Sequence, residues 1–164
     1  MAARRHLKDK EAKQLLREFI QRYPNAEQAL GSGKGIEEQI IDGNIVFFVD
    51  GRPLILRTKS GLYPTLKFEE LTGSLPKAVV DMGAVAHVVN GAHVMRPGIK
   101  EIRNDFAKGD LLLVVDEKFE KTIALGIADL DSASMKSVDK GKVILNVHYV
   151  GDIFWKSFSQ GTAS

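Results

Sequence analysis

The sequence predicts an α+β protein: an N-terminal α/β portion followed by a compact β-barrel half with one main embedded helix. Three observations predict it. Apolar residues near the N-terminus recur at helical spacing. Short apolar or alternating runs follow, separated by Gly, Asn and Asp pairs with hairpin-turn chemistry. Between Thr122 and Ala128, Ile123, Leu125 and Ile127 share one face while Ala124, Gly126 and Ala128 share the other, a pattern suited to a tightly curved small barrel.

Ala12, Leu15, Leu16, Phe19, Ile20 and Tyr23 form one stripe, so a helix is expected with Asp9 as N-cap and Pro24 as terminator. A further helical turn is expected over 26–30, before Gly31-Ser32-Gly33-Lys34-Gly35 interrupts regular structure. That segment is not a phosphate loop: Gly35 follows Lys34 where Ser or Thr is required, Gln28 occupies the first Gly position, and no strand precedes it. Strands are expected over 36–41, 45–49 and 53–57, with turns at Asp42-Gly43-Asn44 and Asp50-Gly51, and one helical turn over 68–71. Thr72-Gly73-Ser74-Leu75-Pro76 reads as a linker, giving expected domains of 1–75 and 76–158 and a tail of 159–164.

In the second half, a strand over 78–80 precedes a helix over about 83–90, and Gly91 supplies the left-handed residue after it. Arg96-Pro97-Gly98 forces a turn. The unbroken run from Leu111 to Val115 predicts a strand covered on both faces. In 143–150, strict alternation puts Val143, Leu145, Val147 and Tyr149 inward and Ile144, Asn146, His148 and Val150 on the other face.

Composition removes several function classes. The absence of Cys excludes disulfides, thiolate metal sites and a Cys nucleophile. The N-terminal basic residues lack the apolar segment of a secretory signal, and no apolar run approaches the roughly 20 residues of a membrane span, so a soluble, cytoplasmic protein is expected. The four His residues lack the spacing of a metal motif, and no carboxylate pair, nucleophile elbow or cofactor fingerprint occurs. No cofactor, metal or catalytic residue is expected. With 23 Lys and Arg against 21 Asp and Glu, any nucleic-acid site must be a local patch.

Several short pieces occur in order: Val80-Asp81-x-Gly83-Ala84, Gly91-Ala92-x-Val94-Met95-x-Pro97-Gly98-Ile99, Phe106-x-x-Gly109-Asp110, Ala124-Leu125-Gly126, and Gly141 followed by His148-Tyr149. Together, over about 76–158, they resemble the PUA domain. Gly43-Asn44-x-Val46-Phe47-Phe48 and Tyr63-Pro64-Thr65-Leu66 are similar to the N-terminal (pre-PUA) domain of the malignant T-cell-amplified-sequence family. Met135, Lys140-Gly141, Asn146-x-His148-Tyr149, Asp152 and Trp155 extend that likeness into the second half.

The resemblance implies a non-catalytic RNA-binding protein associated with translation. It would bind structured RNA, rRNA or tRNA, on or near the small ribosomal subunit, with an initiation-factor-like protein as a further partner and no membrane. Two alternatives stay open: an accessory subunit delivering RNA to a modifying enzyme, and a protein-interaction adaptor.

By position, the family's RNA-facing elements fall on Gly91, Ala92, His93, Arg96, Pro97 and Gly98, with His148 on the final strand and Lys77, Lys100 and Arg103 as a basic rim. The glycines would let backbone N–H groups approach phosphate, and Arg96 can fork onto phosphate or a base edge. Structural readings stand beside these. Gly91 can cap its helix, Pro97-Gly98 can simply turn, the lysines can be solvated, and His148 can hold the barrel edge instead of meeting a nucleotide. Asp81 is expected to cap the helix that follows it. For Phe154, Trp155 and Phe158, the readings are a base-stacking platform or packing against the N-terminal domain.

Overall fold

The computed structural model describes residues 3–31 and 35–160, so Ser32, Gly33 and Lys34 of the glycine-rich segment and residues 161–164 lie outside the described residues. The chain divides into two compact units, Met1–Gly73 and Ser74–Ser164.

The first unit is a meander backed by helices. Its elements are β1 (Arg5–His6), α1 (Asp9–Arg22), a 3-10 turn (Pro24–Ala26), α2 (Glu27–Leu30), β2 (Ile36–Ile41), β3 (Asn44–Val49), β4 (Arg52–Thr58), β5 (Gly61–Pro64) and α3 (Glu69–Thr72). The sheet runs β1-β2-β3-β4-β5, each strand antiparallel to its chain neighbour. Turn chemistry sets that order: Asp42 and Gly43 sit at φ 52° and 79°, Asp50 and Gly51 at 50° and 85°. Positive φ at both central residues gives the turn whose twist matches paired strands.

The apolar stripe of α1 turns Ala12, Leu15, Leu16 and Phe19 into a core with Ile36, Phe47, Leu54, Ile55 and Phe68. The helix cap differs from expectation by one residue. Lys8 holds the extended cap conformation, and its N–H donates to the Glu11 carboxylate at 2.9 Å, so Asp9 is the first helical residue. Tyr23, before Pro24, ends the helix as expected.

The second unit comprises β6 (Lys77–Val80), α4 (Met82–Val88), β7 (Val94–Met95), a 3-10 turn (Arg96–Gly98), β8 (Ile99–Arg103), β9 (Leu111–Asp116), β10 (Thr122–Ala128), α5 (Ser132–Ser137), β11 (Lys142–Tyr149) and α6 (Ile153–Gln160). Its sheet order is β7-β11-β10-β9-β6-β8, with β6 and β9 parallel and every other pair antiparallel. The two edge strands, β7 and β8, lie at opposite ends of that order yet are joined by three residues, Arg96–Gly98. A linker of three residues spans at most about 10 Å, so the sheet must curl until its edges meet. The result is a pseudo-barrel with a seam at the 3-10 turn.

Curling needs small side chains inside. Ala124 and Ala128 are fully buried in the barrel core beside Leu112, Val114 and Ile144. A Cβ on Gly126 would stand 2.4 Å from the Ile144 Cγ2 and 3.0 Å from the Leu145 carbonyl oxygen. β9 is buried along its whole length, as its unbroken apolar run implies.

The alternation expected for β11 is corrected. The register with β10 steps between Leu125 and Gly126, leaving Val147 unpaired in a bulge. Before the bulge, Ile144 pairs with Ala128 and faces the core; after it, Tyr149 pairs with Ala124 and faces the core as well. One extra residue inverts the phase of a strand. Helices α5 and α6 were not signalled by the sequence reading, so the expected tail from 159 begins inside α6.

Candidate nucleic-acid interface

The candidate site lies where α4, the seam and the start of β11 meet. α4 begins at Asp81, whose backbone N–H donates to the Gly98 carbonyl (2.9 Å) and whose Oδ1 accepts the Ala84 N–H at 2.7 Å. That satisfies a donor the first helical turn leaves free and fixes the helix against the seam. The approach is close: a Cβ on Gly98 would stand 2.8 Å from the Ala84 Cβ. α4 ends at Val88, two residues short of the expected end, and the expected left-handed residue, Gly91 at φ 94°, follows in the turn and donates to the Val88 carbonyl.

Beyond Gly91 the chain is stitched down by Asn146 of β11. Its Nδ2 donates to the carbonyls of Val88 and Ala92, both at 3.0 Å, and its backbone N–H donates to His93 Nδ1 at 2.8 Å. Because Nδ1 accepts, the neutral ring carries its proton on Nε2. His93 is exposed.

A cleft of about 570 Å³ opens here, lined by Asp81, Ala84, His87, Val88, Ala92, His93, Val94, Met95, Pro97, Gly98 and Lys142. Its volume lies within the range of ligand sites. Most of the lining is apolar, and Met95 is 51% exposed. The ionisable groups are Asp81, His87, His93 and Lys142. Asp81 is committed to the helix cap, so the lining offers a cation and two imidazoles but no nucleophile paired with a base.

Four of the sequence-predicted residues, Ala92, His93, Pro97 and Gly98, line this cleft, and Gly91 adjoins it. Sequence reasoning missed Lys142, Met95 and His87 as lining residues. Lys142 becomes legible only through the pairing of β11 with β7, which sets it opposite Met95 across 47 residues of chain.

Four expectations are corrected. The Arg96 guanidinium is not presented outward: Nε donates to the Met135 carbonyl at 2.7 Å and Nη1 to the Ile99 carbonyl at 3.2 Å. It laces the seam to α5. His148 is fully buried and cannot stack on a nucleotide. Its Nδ1 pairs with Asp152 at 2.8 Å, and its ring lies edge-on to Phe154 and Phe158. The same carboxylate accepts the Tyr149 and Trp155 N–H groups, so this dyad anchors α6. Burial of Phe154 and Phe158 around His148 removes both from a base-stacking platform. Finally, the Gly91 N–H, expected to approach phosphate, instead donates to the Val88 carbonyl, and the Ala92 N–H beside it donates to the His87 carbonyl.

The expected basic rim is also reduced. Arg103 is paired with Glu101 and Glu120, while Lys100 stays exposed. Lys77 starts β6, and four residues of extended chain, about 13 Å, separate it from Asp81 at the cleft.

A family model described as the PUA domain matches residues 76–150. The uncharacterized protein MJ1432 of Methanocaldococcus jannaschii is 37% identical over 152 residues, spanning 91% of this chain and 93% of that protein. Translation machinery-associated protein 20 of Schizosaccharomyces pombe is 27% identical over 85% of this chain and 83% of its own. Malignant T-cell-amplified sequence 2 of Mus musculus is 30% identical over 67% of this chain and 64% of its own. A crystal structure described as a PUA domain from Aeropyrum pernix, in a tartrate complex, superposes with a TM-score of 0.76 at 25% identity, over 96% of this chain and 91% of that one. The chain belongs to the family of PUA-domain proteins that includes MJ1432 and the malignant T-cell-amplified sequence proteins.

Proposed function

We propose that this protein binds structured RNA of the translation machinery, rRNA or tRNA on or near the small ribosomal subunit, in the cytoplasm, and that the cleft at the barrel seam is its contact. The observation carrying this reading is the lining itself. An exposed His93 and the Lys142 ammonium border an apolar floor that includes Met95. An ammonium and an imidazole N–H suit phosphate and ribose oxygens, and an exposed apolar floor suits the face of an unstacked base. The name of the fission-yeast relative, translation machinery-associated protein 20, supports the translation setting. The role is positioning, with no bond made or broken, and an initiation-factor-like protein is the proposed protein partner.

The residues assigned to RNA are Ala92, His93, Pro97, Lys142, Met95 and His87, with Gly91 and Gly98 shaping the loop. The test is a salt-titrated binding assay with an RNA hairpin carrying a single-stranded 3′ tail. Lys142→Ala, which leaves the backbone ladder intact, should weaken binding about 3- to 10-fold and lower the slope of log affinity against log salt by about 0.7 to 0.9. Unchanged affinity and slope in Lys142→Ala, together with unchanged affinity in Met95→Ala and His87→Ala, would remove the cleft from the RNA contact.

A further inference from the structure

Positive charge is unevenly distributed along this chain. Residues 74–164 contain eleven Lys and Arg against eleven Asp and Glu, so the PUA unit is neutral. Residues 1–22 contain seven against three, and they alone account for the positive excess of the whole protein.

Within that segment, α1 sorts its charges by face. At about 100° per residue, Lys10, Lys13, Gln14, Arg17 and Gln21 fall within an arc of roughly 100° opposite the buried stripe. All five are exposed. Three carboxylates flank that arc: Asp9 lies beside Lys13 at the start of the helix, while Glu11 and Glu18 on the other side are held by cations of the first unit. Glu11 receives two bonds from Arg5, at 3.1 and 2.9 Å, and Glu18 pairs with Arg57 at 3.4 Å. Arg17, exposed, donates from Nη1 to the Gln14 Oε1 at 2.9 Å. The result is a cationic ridge about 10 Å long, with Asp9 at its N-terminal edge and the carboxylates on its other side already paired.

We infer that the outer face of α1 is a second RNA contact, in which Lys10, Lys13 and Arg17 bind the phosphodiester backbone. The inference shares with the proposed function the premise that RNA is bound, but it uses different residues on the other unit. Two features favour RNA over other anionic partners. A helix that binds a lipid surface needs an apolar face free to insert, and the apolar face of α1 is buried in the core. A protein interface needs buried aromatic or aliphatic anchors, and this ridge has none. Gln14 and Gln21 instead add neutral donors between the cations, as suits a ridge tracking phosphates without reading sequence.

The experiment uses the full chain and the same RNA hairpin, with affinity measured between about 50 and 200 mM salt. The triple variant Lys10→Gln, Lys13→Gln, Arg17→Gln keeps good helix formers at exposed positions, and a thermal melt checks its fold. It should bind roughly 10- to 100-fold more weakly at low salt, with the salt slope shallower by about 2 to 3. The conservative exchange Lys10→Arg, Lys13→Arg, Arg17→Lys should restore both. Removing three exposed cations elsewhere, by Lys108→Gln, Lys118→Gln and Lys121→Gln, should leave the slope near the parent value.

An unchanged slope in the α1 variant overturns the inference, as does an equal loss in the control variant. So does a loss seen with phosphatidylserine vesicles or an acidic peptide but not with RNA. A loss in the α1 variant with none in Lys142→Ala would uphold the ridge and reject the cleft. The reverse pattern would do the opposite, and no binding by the parent protein would reject both.

Discussion

The two units make their sheets in opposite ways. In the first, every strand pairs with its chain neighbour, and left-handed residues at two tight turns set the register. In the second, strand order departs from chain order, β6 and β9 run parallel, and edges 94–95 and 99–103 must be drawn together. Local turn chemistry cannot do that. Polar side chains do it instead: Arg96 laces the seam, Asn146 ties the α4 exit to β11, and Asp152 with His148 anchors α6. Residues that look like nucleic-acid ligands by type are fasteners here. On the proposed reading, the side chains left to meet RNA are fewer, and Lys142 and His93 lead them.

That contrast can be broken at Arg96. Arg96→Ala removes two charge-assisted hydrogen bonds and leaves two carbonyls without their donor, so it should destabilise the second unit by about 3 kcal/mol. Arg17→Ala on the exposed face of α1 should stay within about 0.5 kcal/mol. Denaturant melts of the two variants compare them directly, and equal small effects would deny Arg96 its fastening role.

Asn146→Ala sharpens the point at the site. It should cost about 1 to 3 kcal/mol by releasing the Val88 and Ala92 carbonyls, and hydrogen exchange at Gly91 and Ala92 should speed up. Gly126→Ala should cost about 1 to 3 kcal/mol as well, because the added carbon meets Ile144 and the Leu145 backbone. A melt that does not shift would mean that the strands separate more easily than the curled sheet implies.

The smallest effect belongs to the first unit. The Arg52 side-chain hydrogen bonds hold the Glu70 carboxyl at about 2, below its ordinary 4.5. A carboxyl with a depressed folded-state value stabilises above its unfolded value, and that contribution is lost as pH falls from about 4.5 through about 2. Both side chains are more than two fifths exposed, so screening keeps the effect small. Glu70→Gln should slightly flatten the acid limb of the stability curve at low salt, with little difference at high salt.

These contrasts also explain what the sequence disclosed. Asp42-Gly43, Asp50-Gly51 and Gly91 announce their turns because tolerance of positive φ is a property of the residues themselves, and Asp81 announces the start of α4 because its short side chain reaches the helix's own backbone. The bulge at Val147 stayed hidden because a register step belongs to a pair of strands. Arg96 and His148 were read as ligands because residue type reveals chemistry but not direction: the Arg96 partner Met135 lies 39 residues away, and His148 is closed off by Asp152, just before α6, and by the α6 rings of Phe154 and Phe158. Lys142 was missed for the converse reason: an ordinary lysine acquires its place only when β11 meets β7.

The central claim is that the seam cleft touches RNA. Ultraviolet crosslinking in cells, with both the modified residue and the attached RNA identified, tests it most directly. Crosslinks within 87–98 or at Lys142, carrying rRNA or tRNA fragments, are the predicted result. Crosslinks confined to segments away from these residues, or RNA from neither class, would contradict it.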